Sequence, residues 1–306
     1  MKILITGGAG FIGSNLALEL SEKGHQVTVL DNLFSGKKEN LKGFTGKFIE
    51  ADINVINLSE EFGDAEFDVI SHQAAITDTT FSDDKEMLRA NVGGFQKVLE
   101  FAAGKDAAIV YASSASTYGR GKSPMKEEDI PNPLNAYAES KSIMDVMAKQ
   151  SSASGKLNIV GLRYFNVYGP REFYKGNSSS MIYQLYKQMK SGANPRIFKY
   201  GEQERDFVYV KDVVQANLSA ISYALRKKSG IFNVGVGKSA SFNKLIEELN
   251  RNMRRELKPN YFDNPYGFYQ NVTCADMSLT MKELGFHAIY DIEKGIKDYV
   301  AYLEEN

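Results

Sequence analysis

The feature that most constrains the fold of this chain is a glycine-rich turn near its start, Thr6-Gly7-Gly8-Ala9-Gly10-Phe11-Ile12-Gly13. The apolar run before it has the length of a buried strand, and the amphipathic pattern after it has the period of a helix. Glycines at positions 7, 10 and 13 allow a tight turn, a close approach of the backbone to a pyrophosphate, and close packing of helix against strand. The first N–H groups of the helix would point at that anion. We therefore predict a dinucleotide site formed by Gly7, Gly10, Phe11, Ile12 and Gly13.

The first half of the chain alternates short apolar runs with amphipathic segments. This alternation predicts an α/β fold with a parallel, doubly wound sheet of the Rossmann type. The predicted strands are Lys2 to Thr6, Gln26 to Leu30, Lys47 to Glu50, Asp68 to His72, Ala107 to Ala112 and Asn158 to Arg163. The predicted helices between them are Phe11 to Lys23, Lys85 to Ala103 and Ala136 to Gln150.

The regular alternation of predicted strands and helices ends after Gly169-Pro170. A serine-rich stretch, 178–180, is predicted to start a helix, and short strands follow near Ile197 and Phe207. We expect residues 1–166 to form the nucleotide-binding Rossmann domain. Residues 167–306 are predicted to form a smaller C-terminal α/β substrate-binding subdomain, with some segments returning to the sheet. Its later helices are predicted at Asp212 to Leu225, Asn243 to Asn252 and Ile292 to Leu303.

Charge and composition exclude several classes of partner. The net charge of −1 argues against nucleic acid or an anionic membrane as the main partner. The single cysteine, Cys274, excludes an internal disulfide framework and a cysteine-rich metal site, and the three histidines lack metal-ligand spacing, so no metal is expected. No apolar run approaches the roughly 20 residues that span a bilayer, and no signal-peptide pattern precedes the glycine turn. A cytoplasmic location is therefore expected.

The end of the second predicted strand bears on the choice of nicotinamide cofactor. Asp31 stands where a carboxylate can bind the ribose hydroxyls, which favours NAD. Asn32 follows it, and Lys37 and Lys38 stand close enough to neutralise the 2′-phosphate of NADP. These residues leave both NAD and NADP open.

The ends of the third and fourth predicted strands supply further cofactor contacts. Asp52 and Ile53 are placed to flank the adenine. Small residues after the fourth strand, in the segment Gln73-Ala74-Ala75, would let the cofactor pass close to the sheet, and Thr77 is expected to contact it as well.

A second motif combines a hydroxyl, a phenol and an ammonium. The predicted strand that ends at Ala112 continues into Ser113-Ser114, and Tyr137 and Lys141 stand four residues apart in a predicted helix, hence on one face. A phenol with a pKa of about 10 is a poor base at neutral pH, but a neighbouring ammonium favours the phenolate. Lys141 could also reach the nicotinamide ribose, and Ser114 could donate to the reacting oxygen. This arrangement indicates proton transfer coupled to hydride transfer.

Together the Gly-x-x-Gly-x-x-Gly turn, the serine and the Tyr-x-x-x-Lys pair resemble the extended short-chain dehydrogenase/reductase family. The resemblance covers nearly the whole chain and implies a nucleotide-sugar substrate. Family members that act as 4,6-dehydratases carry an Asp-Glu pair after the active-site hydroxyl. Ala115-Ser116 stands there instead, which argues against elimination.

The segment Arg171-Glu172-Phe173-Tyr174-Lys175-Gly176 and the serine-rich helix after it are similar to the ADP-L-glycero-D-manno-heptose 6-epimerases of that family. So are Arg205 to Val210, Gly230 to Gly235, and Tyr269-Gln270 before Ala275-Asp276. This resemblance implies epimerisation at C6 of an ADP-heptose, a step in lipopolysaccharide precursor synthesis, with one tightly held NADP per subunit.

The resemblance also implies roles for individual residues. Tyr137 and Lys175 would be the two acid/base groups, supported by Lys141 and Ser114. Cofactor contacts would extend to Asn91, Val167 and Lys175. The implied substrate-binding residues are Ser114, Asn166, Asn177, Gln184, Phe198, Lys199, Tyr200, Gly201, Arg205 and Tyr269. Asn177 and Gln184 depart from the family pattern, which has a serine and a histidine there, so fine specificity is left open.

Several alternatives stay open at this point. Lys175 could instead contact a phosphate, and Arg205 could form a structural ion pair. A UDP-hexose 4-epimerase or a sugar-nucleotide reductase would share every cofactor motif. A non-catalytic NADP sensor is disfavoured because Ser114, Tyr137 and Lys141 are all present. The resemblance further implies a homo-oligomer.

Overall fold

The computed structural model describes residues 1–79, 81–264 and 270–305. The strands are β1 (Lys2–Thr6), β2 (Gln26–Asp31), β3 (Lys47–Glu50), β4 (Val69–His72), β5 (Ala108–Ser114), β6 (Ile159–Tyr164), β7 (Asn166–Tyr168), β8 (Arg196–Phe198), β9 (Glu204–Arg205), β10 (Phe207–Tyr209), β11 (Gly230–Val234), β12 (Ala240–Ser241), β13 (Asn260–Phe262) and β14 (Val272–Thr273). The α-helices are α1 (Phe11–Glu22), α2 (Leu58–Phe62), α3 (Asp84–Ala103), α4 (Ala136–Ala153), α5 (Met181–Lys190), α6 (Val210–Leu225), α7 (Phe242–Met253), α8 (Ser278–Leu284) and α9 (Ile292–Glu305). Short 3₁₀ segments cover Lys38–Leu41, Ala115–Tyr118 and Phe173–Ser178.

The central sheet has the strand order β11-β6-β5-β4-β1-β2-β3 within the described residues, and every neighbouring pair is parallel. The order reverses between β1 and β4, which makes the carboxyl ends of these two strands the switch point where ligands bind in such sheets. The predicted Rossmann α/β fold is thereby confirmed.

Helices cover both faces of this sheet because the strand side chains alternate between the two faces. Ile3 and Ile5 face the layer that contains α1, α6 and α8. Leu4 and Ile109 face the layer that contains α3 and α4. Such two-sided burial explains why the strands are continuous apolar runs rather than alternating ones.

A third apolar cluster lies in the second half of the chain. Ile182 of α5, Leu245 of α7 and Tyr299 of α9 pack with Tyr168 and Phe207 there. Small sheets flank this cluster: β7 pairs with β10, β9 lies between β12 and β14, and β8 pairs with β13. We refer to α5, α7, α9 and these small sheets as the cap.

Two segments after residue 167 belong to the central sheet rather than to the cap. β11 is an edge strand of the sheet, paired with β6. Val213 and Ala220 of α6 pack in the same apolar layer as Leu16 of α1. The division at residues 166 and 167 stays a prediction about domains. No α-helix in the part of the chain that the structure describes is long and apolar enough to cross a membrane.

Candidate active site

The glycine turn joins β1 to α1 in a conformation that larger residues would not fit. Gly7 has φ +70°, and a Cβ built on it would lie 2.5 Å from the backbone nitrogen of Ala74. A Cβ on Gly13 would lie 2.2 Å from the carbonyl oxygen of Gly7. Gly7 therefore allows the segments after β1 and β4 to approach each other closely. Gly13 allows α1 to pack closely against the glycine turn.

The N-terminus of α1 is open to an anion. Gly10 caps the helix without a side-chain hydrogen bond, and the first turn carries no acidic residue. The first N–H groups of the helix consequently have no carboxylate or hydroxyl partner within it, and they carry the positive end of the helix dipole. This cradle fits the pyrophosphate of a dinucleotide.

Asp31 is fixed at the end of β2. It is 6% exposed, its Oδ2 accepts from the N–H of Ala9 at 2.9 Å, and its Oδ1 accepts from the N–H of Leu33 at 2.8 Å. Burial raises the pKa of Asp31, while these backbone donors oppose the rise. A carboxylate can accept about four hydrogen bonds, so acceptor capacity remains for ribose hydroxyls.

Lys38 forms an ion pair that its local sequence does not reveal. Its Nζ lies 2.8 Å from Oε2 of Glu50, and both side chains are more than half exposed. Glu50 ends β3 directly opposite Asp31 in the sheet register. Nothing in the local sequence pairs Lys38 with Glu50, because the contact depends on the register of two parallel strands.

The adenine end of the predicted site is held by polar side chains. Asn32 donates to Oδ2 of Asp52 at 3.2 Å, and the N–H of Asn54 donates to Oδ1 of the same carboxylate at 2.8 Å. Ile53 is buried beside them. The structure therefore brings Asp31, Asn32, Asp52 and Ile53 to one end of the sheet, as their predicted role requires.

The segment after β4 is shaped by neighbouring side chains. Gln73 donates to Asn217 at 3.2 Å and accepts from the hydroxyl of Tyr164 at 3.2 Å. The buried Asn91 accepts from the N–H of Ile76 at 2.8 Å and donates to its carbonyl at 3.1 Å. Asn91 therefore fixes the backbone of this segment. Ala74 lies against the glycine turn, Ala75 is half-buried and Thr77 is exposed.

Ser114, Tyr137 and Lys141 come together where β5 ends and α4 begins. The N–H and the hydroxyl of Ser116 both donate to Oγ of Ser114, at 3.1 and 2.9 Å, so the Ser114 proton is available for a hydrogen bond with Tyr137. Burial raises the pKa of Tyr137, and a hydrogen bond with Ser114 lowers it. The structure thus brings the predicted trio into one cluster.

Lys141 is almost fully buried one helical turn after Tyr137. Its Nζ lies 5.8 Å from the centre of the Tyr137 ring and donates to the carbonyl of Ala112 at 2.8 Å. Burial lowers the pKa of Lys141 to about 8, and the negative charge of Asp145 opposes that fall. An ammonium held in this position favours ionisation of the nearby phenol.

Lys175 approaches the site from the cap. Its Nζ lies 5.5 Å from the centre of the Phe11 ring, at the start of α1. Burial lowers the pKa of Lys175, against the negative charges of Glu172 and Asp78. β4 separates the strand that leads to Phe11 from the strand that ends at Ser114. Lys175 and Tyr137 consequently lie on either side of the switch point.

Glu172 is the buried anchor of the turn that carries Lys175. It is 0% exposed, its Oε1 accepts from the N–H of Gly169 at 3.0 Å, and its Oε1 also accepts from the hydroxyl of Ser180 at 2.8 Å. In the sequence, Glu172 is recognisable only as part of a family motif. A fully buried carboxylate is stable only where such donors surround it, and those donors come from residues on both sides of the turn.

The predicted substrate residues lie along the cap. Asn166 begins β7 and donates to the carbonyl of Asp206 at 3.2 Å, and Val167 follows it half-buried. The side-chain amide of Gln184 donates to the carbonyls of Asn177 and Ser179, at 3.0 and 2.8 Å, so it braces this loop.

Further along the cap, the backbone N–H of Gly201 donates to the carbonyl of Phe198, which closes a turn that presents the exposed Lys199 and Tyr200. Arg205 lies in β9, where its guanidinium donates to the carbonyl of Glu204 at 2.8 Å. Tyr269 lies outside the described residues.

Comparison with known proteins places this geometry in a family. The chain belongs to the NAD dependent epimerase/dehydratase family, whose model matches residues 3–235. This confirms the resemblance to the extended short-chain dehydrogenases/reductases and identifies a family of nucleotide-sugar epimerases.

Three solved structures indicate how the chain relates to members of that family. The chain is 39% identical to the ADP-L-glycero-D-manno-heptose-6-epimerase of Helicobacter pylori, with a TM-score of 0.91 over 100% of this chain and 96% of that one. It is 30% identical to the UDP-glucose 4-epimerase of Thermotoga maritima, with a TM-score of 0.91 over 100% and 99%. The UDP-glucuronic acid 4-epimerase of Bacillus cereus, solved with UDP-glucuronic acid and NAD, is 27% identical, with a TM-score of 0.88 over 100% and 99%.

Proposed function

We propose that this protein epimerises C6 of an ADP-heptose by transient oxidation and re-reduction, using one tightly held NADP per subunit. The observation that carries the proposal is the placement of Lys175 beside Phe11, across the switch point from the Ser114–Tyr137–Lys141 cluster. Tyr137 and Lys175, both able to transfer protons, thus approach the carboxyl ends of the central strands from different elements. The 39% identity to an ADP-heptose epimerase adds support.

The cofactor would be held by residues that already have the required form. The glycine turn and the N-terminus of α1 would bind the pyrophosphate, and Asp31 would bind the adenosine ribose. Lys141 would reach the nicotinamide ribose. The backbone that Asn91 fixes would lie along the cofactor between its two riboses. When bound, the nicotinamide accepts a hydride from the sugar carbon and returns it.

The protein's own groups would handle the protons. Tyr137, as a phenolate stabilised by Lys141, takes the proton of the C6 hydroxyl, and the Ser114 hydroxyl donates to the same oxygen. Epimerisation requires the hydride to return to the opposite face of the carbonyl. When the carbonyl oxygen changes place, Lys175 supplies a proton at its new position. A dry site strengthens each of these contacts.

NADP is proposed over NAD because of Lys38. A solvent-exposed ion pair such as Lys38 with Glu50 contributes only about 0–1 kcal/mol. A 2′-phosphate would therefore compete effectively with Glu50 for the ammonium. Against this, Asp31 disfavours a phosphate close by, and solved relatives contain NAD. Nucleotide extracted from the purified protein and identified by mass spectrometry tests the assignment; finding NAD alone would overturn it.

The sugar would be held by the cap. We propose that Asn166, Arg205 and the turn 198–201 contact the ADP-sugar, with Asn177 and Gln184 shaping the loop beside it. Residues 1–166 and 167–306 would then act as cofactor and substrate domains. We also propose a homo-oligomer located in the cytoplasm.

A 4-epimerase acting on a UDP-hexose is the second candidate, favoured by the TM-score of 0.91 with the Thermotoga maritima enzyme. Purified protein is assayed with an ADP-heptose and with UDP-galactose, without added cofactor. Catalytic turnover of the ADP-heptose alone supports the proposal. Turnover of UDP-galactose alone would replace it with 4-epimerisation. A single equivalent of product would indicate a net reductase, and no turnover with either sugar would favour a sensor.

A further inference from the structure

Lys141 has a buried acidic neighbour that the proposed reaction does not use. Asp145 lies four residues later on α4, hence on the same helix face, where side chains at this spacing are neighbours. Lys141 is 1% exposed and Asp145 is 2% exposed. A buried ammonium and a buried carboxylate so placed interact strongly, because little water lies between them to screen the charges.

The carboxylate of Asp145 is held from two further strands. The hydroxyl of Tyr111, on β5, donates to Oδ1 at 2.8 Å, and Nε of Arg163, on β6, donates to Oδ2 at 2.9 Å. Arg163 is 1% exposed, and its guanidinium lies 4.7 Å from the centre of the Tyr118 ring. The carboxylate therefore cannot turn away from Lys141 without breaking buried hydrogen bonds.

Two cations of this pocket, Lys141 and Arg163, share the carboxylate of Asp145. A second carboxylate, that of Glu127, interacts with Tyr118. His72 at the end of β4 is neutral, since burial and the charge of Lys141 lower its pKa to about 3. Burial raises the pKa of Tyr118 to about 12, so the neighbouring phenol is neutral as well. Tyr111 is also neutral, because burial and Asp145 raise its pKa well above the ordinary value.

We propose that Asp145 is a positioning residue for the proton-transfer pair: clamped by Tyr111 and Arg163, its carboxylate keeps Lys141 an ammonium beside Tyr137 without touching substrate or cofactor. This inference rests on the proposed function, in which the ammonium stabilises the Tyr137 phenolate. Loss of the carboxylate would leave two like charges buried together, and Lys141 would release its proton at lower pH.

The test is Asp145→Asn, which keeps the side-chain shape and removes the charge. Turnover requires the Lys141 ammonium, so activity falls on the alkaline side of the pH profile as that group loses its proton. We expect this alkaline limb of kcat to move to lower pH by about one unit or more. At a pH above the alkaline limbs of both wild type and Asp145→Asn, kcat of the variant should be about tenfold lower than that of wild type. The KM for the sugar nucleotide should stay within about twofold. Asp145→Glu, which restores the charge, should return the limb towards its wild-type position.

A second readout needs no substrate. Lysine labelled with ¹³C at Cε is titrated by NMR in cofactor-saturated protein, with Lys141 assigned by difference from Lys141→Met. The Lys141 resonance of Asp145→Asn should titrate at lower pH by the same interval. The NMR titration does not depend on the identity of the sugar or on epimerisation. It therefore distinguishes failure of the proposed role of Asp145 from failure of the proposed function.

The matched control is Asp212→Asn, which removes a buried carboxylate that accepts from the N–H groups of Ile289 and Tyr290. It should lower the unfolding temperature and leave the alkaline limb in place. If Asp145→Asn does not fold, the double variant with Arg163→Met removes both buried charges. Because loss of the Arg163 cation by itself favours the Lys141 ammonium, the double variant is compared with Arg163→Met alone. Titration of Lys141 at lower pH in the double variant than in Arg163→Met supports the proposal, and equal titrations overturn it.

Two results with Asp145→Asn would overturn the proposal. One is a fall in kcat at every pH with the alkaline limb and the Lys141 resonance unmoved, which is what a purely structural ion pair predicts. The other is a shifted Lys141 resonance with an unmoved alkaline limb, because turnover would then not depend on the ammonium.

Discussion

At the scale of single residues, the phenol of Tyr137 depends most on its surroundings. Burial opposes its ionisation, and a hydrogen bond with Ser114 favours it. The Lys141 ammonium, 5.8 Å from the centre of the ring, favours the phenolate through its positive charge. In the proposed reaction, Tyr137→Phe removes the acid/base group and leaves the ring packed. Turnover should fall by roughly 10²–10⁴-fold, with the bound nucleotide and the unfolding temperature retained.

Steady-state kinetics and nucleotide extraction check that prediction. The matched control is Tyr223→Phe, which loses a hydroxyl that lies 3.2 Å from Glu283 on the helix layer away from the site. Its kcat should stay at the wild-type value. A Tyr137→Phe enzyme that turns over at a near wild-type rate would remove Tyr137 from the chemistry.

Lys175 separates two proposed roles. Lys175→Met keeps the length of the side chain and removes the proton. If Lys175 serves the second face of the carbonyl, kcat should fall by about two orders of magnitude or more. Reduction of the 6-ketone of the ADP-heptose towards one C6 epimer should then persist, while reduction towards the other epimer should be lost.

A phosphate contact predicts a different pattern for Lys175→Met, a raised KM with kcat near wild type. Lys187→Met is the control, because Lys187 lies on the neighbouring helix α5 with its Nζ 4.9 Å from the centre of the Tyr183 ring. Its kinetic constants should be unchanged. The KM pattern in Lys175→Met would end the two-base mechanism and strengthen the 4-epimerase alternative.

At the scale of elements, periodicity was sufficient for most of the fold. The predicted strands Lys2 to Thr6 and Lys47 to Glu50 match β1 and β3 residue for residue, and the helix predicted from Phe11 begins there. These elements are encoded locally, by apolar runs and by a glycine turn that no other residue can form. The cluster of Ser114, Tyr137 and Lys141 was predictable for the same reason, since two of its members share a helix face.

Ion pairs between residues that are far apart in the sequence could not be predicted, because they depend on the tertiary structure. Asp145 meets Arg163 because β6 lies beside β5 under α4, and Lys38 meets Glu50 because β3 lies beside β2. Charged side chains carry no period that would reveal such pairs in one sequence. The motif around Glu172 is visible in the sequence, but the burial of Glu172 and its contacts with Ser180 follow from the packing of the cap.

The start of α5 offers an element-scale prediction. Oγ of Ser180 accepts from the N–H of Tyr183 at 3.2 Å and donates to the buried Glu172 at 2.8 Å. Ser180→Ala should cost about 1 kcal/mol for the lost cap, with about 1–2 kcal/mol more for the hydrogen bond lost to a buried carboxylate. Urea unfolding measures the sum.

Ser241→Ala is the comparison for this helix start. Ser241 caps α7 through the N–H of Lys244 at 3.2 Å, and Lys244 is part of a different ion cluster. Its loss should cost about 1 kcal/mol, the cap alone. Equal losses for the two variants would show that Glu172 does not depend on Ser180. The turn 173–178 that carries Lys175 should also exchange its amide hydrogens faster in Ser180→Ala, because its anchor is weakened.

At the scale of the whole molecule, Asp206 joins the sheet to the cap. It is 0% exposed, and its carboxylate accepts from the N–H groups of Val236, Gly237 and Ala275 at 2.7–3.1 Å. Its carbonyl accepts from both the backbone and the side chain of Asn166. One residue therefore ties the end of the sheet, the loop after β11 and the segment after β14 to the start of β7.

The charge state of Asp206 makes this junction depend on pH. Burial raises its pKa from 3.8 to about 6, against the three backbone donors. Because the folded pKa lies above the unfolded one, the contribution to stability is complete below about pH 3.8 and is lost as the pH rises through about 6. The full loss corresponds to about 3 kcal/mol, and about 1.4 kcal/mol of it falls between pH 5 and pH 7.5.

Asp206→Asn isolates this effect, since the other buried acids titrate equally in both proteins and an amide does not titrate. The variant is expected to be less stable than wild type at pH 5, because one amide oxygen cannot serve three donors. The gap in the free energy of unfolding should narrow by about 1.4 kcal/mol by pH 7.5. Urea unfolding of both proteins at a series of pH values measures it. Asp298→Asn provides the control. Burial acts to raise the pKa of Asp298, but contacts with Lys211 and Tyr209 outweigh burial and lower that pKa, so the contribution of Asp298 to stability is lost only as the pH falls below the usual carboxyl range. The difference in the free energy of unfolding between wild type and Asp298→Asn should therefore stay constant between pH 5 and 7.5. A flat gap for Asp206→Asn would mean that Asp206 is already ionised at pH 5, with its three backbone donors outweighing burial.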